Sequence, residues 1–274
     1  MRVTEAQALR ITIAYADIFD FQMCEEELRY LCGYRVLPKE SVPLSTKRTA
    51  IRYRRAAYSH RKWKIAKRVT WWVKALPTIE FVGVTGALAM DNADRHDDID
   101  FFIVTKPSTL WITRLLITFI LDLFSLRRRP GDRAYKDKIC LNMFMTTDAL
   151  AVPVKERDLF TAHEVLQVKP LWDRNEAYQA FLNANRWVKK FLPTAWASKV
   201  KRSTFIIRHS TLSFFEPMAH TLQLWYMRNR RTTEVVSDSV IRFHPVDARE
   251  WIYRELRKRL RGTNIPLDKI FYGR

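Results

Sequence analysis

The segment VGVTGALAMDNADRHDDIDFFIVT, from Val82 to Thr105, constrains the fold of this chain more than any other. Two apolar runs of β type flank a polar loop. The first run ends in Thr85-Gly86-Ala87, and the second begins with Asp98-Ile99-Asp100. Side chains alternate along a strand, so aspartates two positions apart point to the same side. The segment therefore predicts two strands, with a glycine turn ending one and a pair of carboxylates opening the other.

This arrangement indicates metal-assisted phosphoryl or nucleotidyl transfer. One Mg²⁺ can bridge two carboxylates to the phosphates of a nucleotide, because hard divalent cations prefer oxygen ligands. Asp98 and Asp100 are the candidate catalytic and metal-binding residues. Thr85, Gly86 and Ala87 are candidate nucleotide-binding residues, because glycine allows close approach of the backbone and the flanking amides would face the phosphates. The alternative is a surface pair of aspartates that caps a strand.

The order strand, Gly-Ala, loop, Asp-Ile-Asp, strand resembles the signature of the DNA-polymerase-β-like nucleotidyltransferase superfamily, in which Gly-Ser or Gly-Gly usually precedes Asp-x-Asp. The resemblance covers about residues 79 to 105 and extends to about 146. Ala87 replaces the usual serine, which implies modestly weaker triphosphate binding. The segments Tyr15–Asp20 and Leu224–Met227 are similar to segments of small uncharacterised bacterial nucleotidyltransferase-domain proteins. That wider likeness implies no particular substrate.

Members of the superfamily commonly supply a third carboxylate from a later strand, and the matching strand here is KICLNMFM, from Lys138 to Met145. Cys140 and Asn142 share its polar parity, and Asn142 is the nearest candidate ligand for nucleotide or metal. An amide oxygen can bind a metal but cannot act as a general base. Three alternatives stay open. A single metal suffices, a carboxylate such as the flanking Asp137 or Asp148 contributes, or the protein binds nucleotide without turnover.

The net charge of +19 indicates a polyanionic partner. Residues 41 to 79 contain no acid, and they hold eleven lysines and arginines with interleaved tyrosines and tryptophans. This pattern predicts one or two basic helices. Their surface either binds nucleic acid or a triphosphate, with aromatic rings stacking on bases, or is a solvated helix face whose aromatic side chains pack inward.

The cysteine count and the hydropathy pattern argue against a zinc-binding, disulfide-bonded or membrane-spanning protein. Three cysteines without a CxxC pair argue against a zinc site or a disulfide framework, and favour reduced thiols in the cytoplasm. No signal peptide is evident. The hydrophobic segment from Leu110 to Leu126 is interrupted by Arg114 and Asp122, and it is shorter than the roughly 20 residues that a membrane span needs. We therefore expect a helix packed on a sheet, a cytoplasmic location and no membrane partner.

The expected fold class is α/β (α+β), with a small mixed β-sheet nucleotidyltransferase core. Residues 1–45 are expected to form a helical or winged-helix-like module, with two short helices at 6–18 and 23–31 and an extended segment at 34–44. Residues 46–150 are expected to form the core, and 151–274 a helical basic region. Strands are predicted at 79–85, 99–105 and 138–145. Helices are predicted at 175–192, at 211–227 with a possible kink at Pro217, and at 247–260 with a cap at Asp247.

The function that these patterns favour is Mg²⁺-dependent (or Mn²⁺-dependent) transfer of a nucleoside monophosphate from an NTP to a hydroxyl acceptor. The basic charge favours a nucleic-acid acceptor such as RNA, and a protein acceptor is the other macromolecular choice. The alternative is a catalytically impaired protein of the same fold that acts as a nucleic-acid-binding or regulatory, antitoxin-like module. His163-Glu164 is interpreted as a helix-surface pair rather than as a general base.

Overall fold

The computed structural model describes residues 4–32, 46–129, 131–228, 235–242 and 248–273, which form a mixed α/β fold around a six-stranded sheet. The helices are α1 (Glu5–Ile18), α2 (Glu25–Cys32), α3 (Thr46–Val73), α4 (Gly86–Ala89), α5 (Leu110–Leu123), α6 (Leu159–Gln167), α7 (Ala177–Ala184), α8 (Pro193–Lys199), α9 (Glu216–Met227), α10 (Ala248–Arg259) and α11 (Leu267–Tyr272). Three short 3₁₀ helices lie at Val154–Glu156, Arg186–Lys190 and Thr211–Phe215. The strands are β1 (Ile79–Val84), β2 (Ile99–Thr105), β3 (Ile139–Thr146), β4 (Lys169–Asp173), β5 (Val235–Val236) and β6 (Val240–Arg242). The expected mixed α/β class is confirmed.

The sheet is open, with strand order β4-β1-β2-β3-β6-β5. Strands β2 and β3 are parallel, and the other neighbouring pairs are antiparallel. A parallel pair needs a crossover connection, which α5 supplies between β2 and β3. The two strands of the glycine-turn motif therefore pair directly with each other inside the sheet.

Strand β2 is buried on both faces, and its parity decides which side of the sheet each aspartate occupies. Phe101 and Ile103 pack into the core that contains α3 and α5. Phe102 and Val104 pack into the opposite core, which contains α6 and α7. Asp100 shares the parity of Phe102 and Val104, so its carboxylate lies on the α6 side of the sheet.

Strong periodicity predicted the core elements well. The predicted strands at 79–85, 99–105 and 138–145 agree with β1, β2 and β3 to within one residue at each end. The predicted pair of short N-terminal helices corresponds to α1 and α2, and the basic stretch forms the single long helix α3. Each of these segments has an apolar pattern long enough to specify its own secondary structure.

The single helix predicted for 175–192 is wrong, because the chain breaks at Asn185. The side chain of this fully buried residue donates from Nδ2 to the Leu150 carbonyl at 2.8 Å and accepts from the Val152 N–H at 2.8 Å. Pro193, expected to stop the helix, lies in the first turn of α8. Pro217 likewise lies in the first turn of α9, so no kink arises there. Proline is tolerated at these positions because the first-turn N–H has no helical partner.

The expectation that residues after 150 are helical is wrong at β4, β5 and β6, which extend the sheet at both edges. These strands are two to five residues long, too short for a periodic signal. Pairing of β4 with β1, of β6 with β3 and of β5 with β6 defines them. The extended segment of the winged-helix hypothesis, Tyr34 to Leu44, and the cap at Asp247 lie outside the described residues.

Within the described ranges, no helix combines the length and apolar character that a membrane crossing requires.

Candidate metal and nucleotide site

The two aspartates predicted to share a metal lie close together. One oxygen of Asp98, one oxygen of Asp100 and the sulfur of Cys140 lie within 4.8 Å of one another. The parallel pairing of β2 with β3 sets Asp100 opposite Cys140. One divalent cation can therefore contact both carboxylates.

Cys140, rather than Asn142, is the residue of β3 that faces Asp100. The register between β2 and β3 shifts after this pair, so that Phe102 is matched with Met143. A shift of this kind places an extra residue in one strand and re-aims its side chains. Asn142 is buried and lines a cavity together with Thr85 and Met143. Cys140 thus lies beside the carboxylate pair, and the role of Asn142 as a ligand for nucleotide or metal stays a prediction.

Burial and mutual repulsion shape the electrostatics of the pair. Burial, and then the neighbouring Asp98 carboxylate, raise the pKa of Asp100 to about 7. Burial raises the pKa of the Cys140 thiol far above its usual range, so this sulfur is protonated at neutral pH. A protonated thiol is a poor metal ligand. The site therefore has the oxygen donors of a hard cation such as Mg²⁺ or Mn²⁺, and that cation would displace the proton on Asp100.

Arg128, which follows the end of α5, is the cationic partner of the site. Its Nη1 lies 2.6 Å from Oδ2 of Asp98, and its guanidinium lies 4.6 Å from the ring centre of Tyr135. The sequence assigned this arginine only to the end of a helix. A guanidinium in this position neutralises Asp98 in the metal-free protein, and it can also pair with a phosphate.

Gly86 is required by the backbone and by the neighbouring carboxylate. Its φ is +63°, and a Cβ added there would lie 2.7 Å from Oδ2 of Asp100. This close approach joins the predicted phosphate turn to the metal site. Ala87 is exposed beside it.

Thr85 offers a hydroxyl rather than the amide expected from the sequence. Its N–H already donates to the carbonyl of Asp100 at 3.0 Å within the ladder. Its Oγ1 is buried and has no hydrogen-bond partner in the protein. Buried hydroxyls usually have a partner, and Thr85 is a lining residue of an adjoining cavity.

Two cavities adjoin the site and meet at Glu164. The first, here the β3 cavity, has a volume of about 310 Å³ and is lined by Thr85, Asn142 and Glu164 among others. The second, here the α1 cavity, has a volume of about 130 Å³ and lies between α1, the Gly86-Ala87 turn and α6. Thr85 in the β3 cavity and Gly86 in the α1 cavity are the lining residues that lie next to the carboxylate pair.

The interpretation of His163-Glu164 as a helix-surface pair is wrong. His163 is only 3% exposed, and burial lowers its pKa to about 3. Glu164 lines both cavities, and burial raises its pKa to about 7. Neighbouring Val165 and Leu166, both buried, show that α6 is enclosed on most sides. In the sequence, the apolar residues around the pair, Ala162, Val165 and Leu166, were the signal that favoured an internal position.

A buried lysine of α3 holds the loop that carries Asp98. Lys62 is 1% exposed, and its Nζ donates to the Asp97 carbonyl at 2.6 Å and to Oδ1 of Asp137 at 2.8 Å. Asp137 is therefore the partner of Lys62, and it does not belong to the cluster that could hold a metal. Part of the basic helix thus serves to position the site.

The outer face of α3 carries the remaining basic and aromatic character. Tyr53 and Trp71 are 75% and 66% exposed, whereas Trp63 is partly buried and donates from Nε1 to Asp91 at 2.6 Å. Trp63 thus packs inward as the solvated-face interpretation expects, whereas Tyr53 and Trp71 are exposed, and binding of nucleic acid or a triphosphate by this surface stays a prediction. The exposed set, here the α3 surface, comprises Tyr53, Arg54, Arg61, Lys64, Lys67, Arg68 and Trp71.

Comparison with protein-family models, with curated proteins and with solved structures finds no match for this chain. The fold and the site define a mixed α/β protein in which a carboxylate pair, a glycine turn and two cavities meet on one side of the sheet.

Proposed function

We propose that the protein is a Mg²⁺-dependent nucleotidyltransferase. One observation carries the proposal: carboxylate oxygens of Asp98 and Asp100 lie close together beside Gly86, where an added Cβ would clash with Asp100. In the reaction, a hydroxyl oxygen of the acceptor attacks the α-phosphorus of an NTP. The bond to the bridging oxygen breaks and pyrophosphate leaves, while the hydroxyl proton passes to a base. Bound Mg²⁺, held by the two aspartates, would supply charge neutralisation at the phosphates.

The other residues take roles that follow from their positions. The Thr85 hydroxyl, which lacks a partner, and the Arg128 guanidinium would bind phosphate oxygens. Glu164 lines both cavities, so it can reach an acceptor hydroxyl on one side while a nucleotide occupies the other. A carboxylate whose pKa lies near neutral is suited to accept that proton, and here it comes from α6 instead of the third strand.

The α3 surface supports a nucleic-acid acceptor such as RNA. Its exposed cations supply sequence-independent affinity for phosphates, and Tyr53 and Trp71 offer rings for base stacking. Binding through this surface should weaken steeply as salt is raised from 50 to 200 mM, by about tenfold or more. If the affinity for the acceptor does not change with salt concentration, a protein acceptor is favoured instead.

The experiment combines each labelled NTP with Mg²⁺ and an RNA of mixed sequence, and follows pyrophosphate release and label transfer. Asp98→Ala and Asp100→Ala should abolish both signals. Asp148→Ala is the matched control, because this aspartate is exposed just beyond β3 and lies outside the cluster that could hold a metal. Transfer that survives both site variants, or that is equally weakened in Asp148→Ala, would contradict the proposal.

A second candidate is the catalytically impaired module that binds nucleic acid without turnover. It is favoured by the ion pair between Arg128 and Asp98 and by the neutral thiol of Cys140 where an acid would complete the site. Nucleic-acid binding that ignores Mg²⁺ and both aspartate substitutions, with no pyrophosphate released from any NTP, would establish it.

A further inference from the structure

The α1 cavity has the size and character of a site for one aromatic ring. Its volume is about 130 Å³, and its walls include Phe19, Phe21 and Met23 beside the N-terminal helices. An engineered apolar cavity of roughly 150 Å³ in another protein binds benzene. A single six-membered ring therefore fits within this volume, and a fused two-ring system would extend beyond it.

One polar atom in this apolar wall lacks a partner. His163 is 3% exposed, its ring stacks on Tyr15 with a centroid separation of 4.0 Å and an interplanar angle of 11°, and its Nδ1 makes no hydrogen bond within the protein. A buried unsatisfied nitrogen destabilises the empty protein. Phenylalanine would pack equally well there, so the nitrogen points to a ligand that carries hydrogen-bonding groups on its ring.

The α1 cavity adjoins the turn at Gly86-Ala87, which is proposed to bind the phosphates. Gly86 and Ala87 form part of its wall, and so does Glu164 on the side of the carboxylate pair. A nucleotide carries a polar ring at one end and its phosphates at the other. We propose that the α1 cavity binds the nucleobase of the substrate, that His163 Nδ1 hydrogen-bonds it, and that the one-ring pyrimidines are preferred over purines. This inference rests on the proposed function, because it takes the ligand to be a nucleotide, and it leaves the β3 cavity to the acceptor.

The test uses nucleosides, which lack phosphates and therefore need no metal. Uridine, cytidine, adenosine and guanosine are titrated calorimetrically into the full chain in EDTA. The pyrimidine nucleosides should bind at least about tenfold more tightly than the purine nucleosides. Ala16→Leu fills the cavity and should weaken pyrimidine binding by at least about tenfold. Ala6→Leu is the matched control, because Ala6 is exposed on the same helix, and it should leave binding unchanged.

His163→Phe separates a binding role from a structural one. The variant keeps a ring against Tyr15 and removes the unpartnered nitrogen, so its melting temperature should equal or exceed that of the wild type. Its pyrimidine affinity should nevertheless fall at least about tenfold. A lower melting temperature with unchanged affinity would overturn the assignment of Nδ1, and this readout does not depend on whether Ala16→Leu folds.

Other outcomes separate this inference from the proposed function. Nucleoside binding that persists in Asp98→Ala, together with no transfer from any NTP, would support the cavity and contradict the enzyme. Transfer by the wild type that is unaffected by Ala16→Leu, or equal binding of purine and pyrimidine nucleosides, would overturn the cavity while leaving the enzyme standing.

Discussion

Replacing Gly86 by alanine tests the link between the glycine turn and the carboxylate pair. Two separate costs are expected. The first is the backbone cost of an L-residue at φ +63°, about 1–2 kcal/mol, which corresponds to a fall in melting temperature of roughly 2–8 °C. The second is steric, because the new Cβ would lie 2.7 Å from Oδ2 of Asp100.

The steric cost falls on the site rather than on stability. Ordinary contact begins near 3.4 Å, so the Asp100 carboxylate must move by about 0.7 Å. Displacements of about 1 Å in a reacting centre can reduce the rate by about 100-fold. We therefore expect Gly86→Ala to lose about 100-fold in nucleotidyl transfer, and to bind Mn²⁺ more weakly.

Gly262→Ala is the matched control for the backbone cost. Gly262 has φ +81° and nothing within 4 Å of an added Cβ. Both variants should therefore melt at lower temperature than the wild type, and only Gly86→Ala should lose activity and Mn²⁺ affinity, measured by calorimetry on protein shown to be folded. Equal activity of the two variants per folded molecule would refute the argument that the turn and the metal site are in contact.

Three further predictions concern the groups around the site. Lys62→Met removes the buried partner of Asp137, which keeps the exposed Arg61 at 3.4 Å. The free energy of unfolding in urea titrations should therefore fall by about 3 kcal/mol, the low end for breaking a buried pair, whereas Lys64→Met at an exposed neighbour should change it by less than about 0.5 kcal/mol. Burial raises the pKa of Asp100 from 3.8 to about 7, so the folded protein holds a proton that the unfolded chain releases. Relative to Asp100→Asn, the metal-free wild type should therefore lose stability as the pH rises from about 4 through 7, and this comparison cancels the opposite contribution of His163; an identical pH dependence of the two proteins in EDTA would contradict the shift. Cys140→Asp adds an oxygen ligand opposite Asp100 and should raise Mn²⁺ affinity about tenfold by calorimetry, and an unchanged affinity would show that the β3 position does not reach the ion.

The sequence by itself determined the central elements and the aspartate pair. Residues 99–105 and 139–146 are continuous apolar strands, and the two-residue spacing of Asp98 and Asp100 places both on one side of β2 under any tertiary arrangement. Local pattern was sufficient because these features depend on neighbours within the same strand.

Tertiary structure decided which other groups join the pair. The shift in register between β2 and β3 selected Cys140 over Asn142, and the packing of α6 turned Glu164 toward the cavities. Lys62 reaches a carboxylate 75 positions away along the chain. Contacts of this kind depend on how separate elements pack, and the periodicity of one element does not indicate which distant residues will contact it.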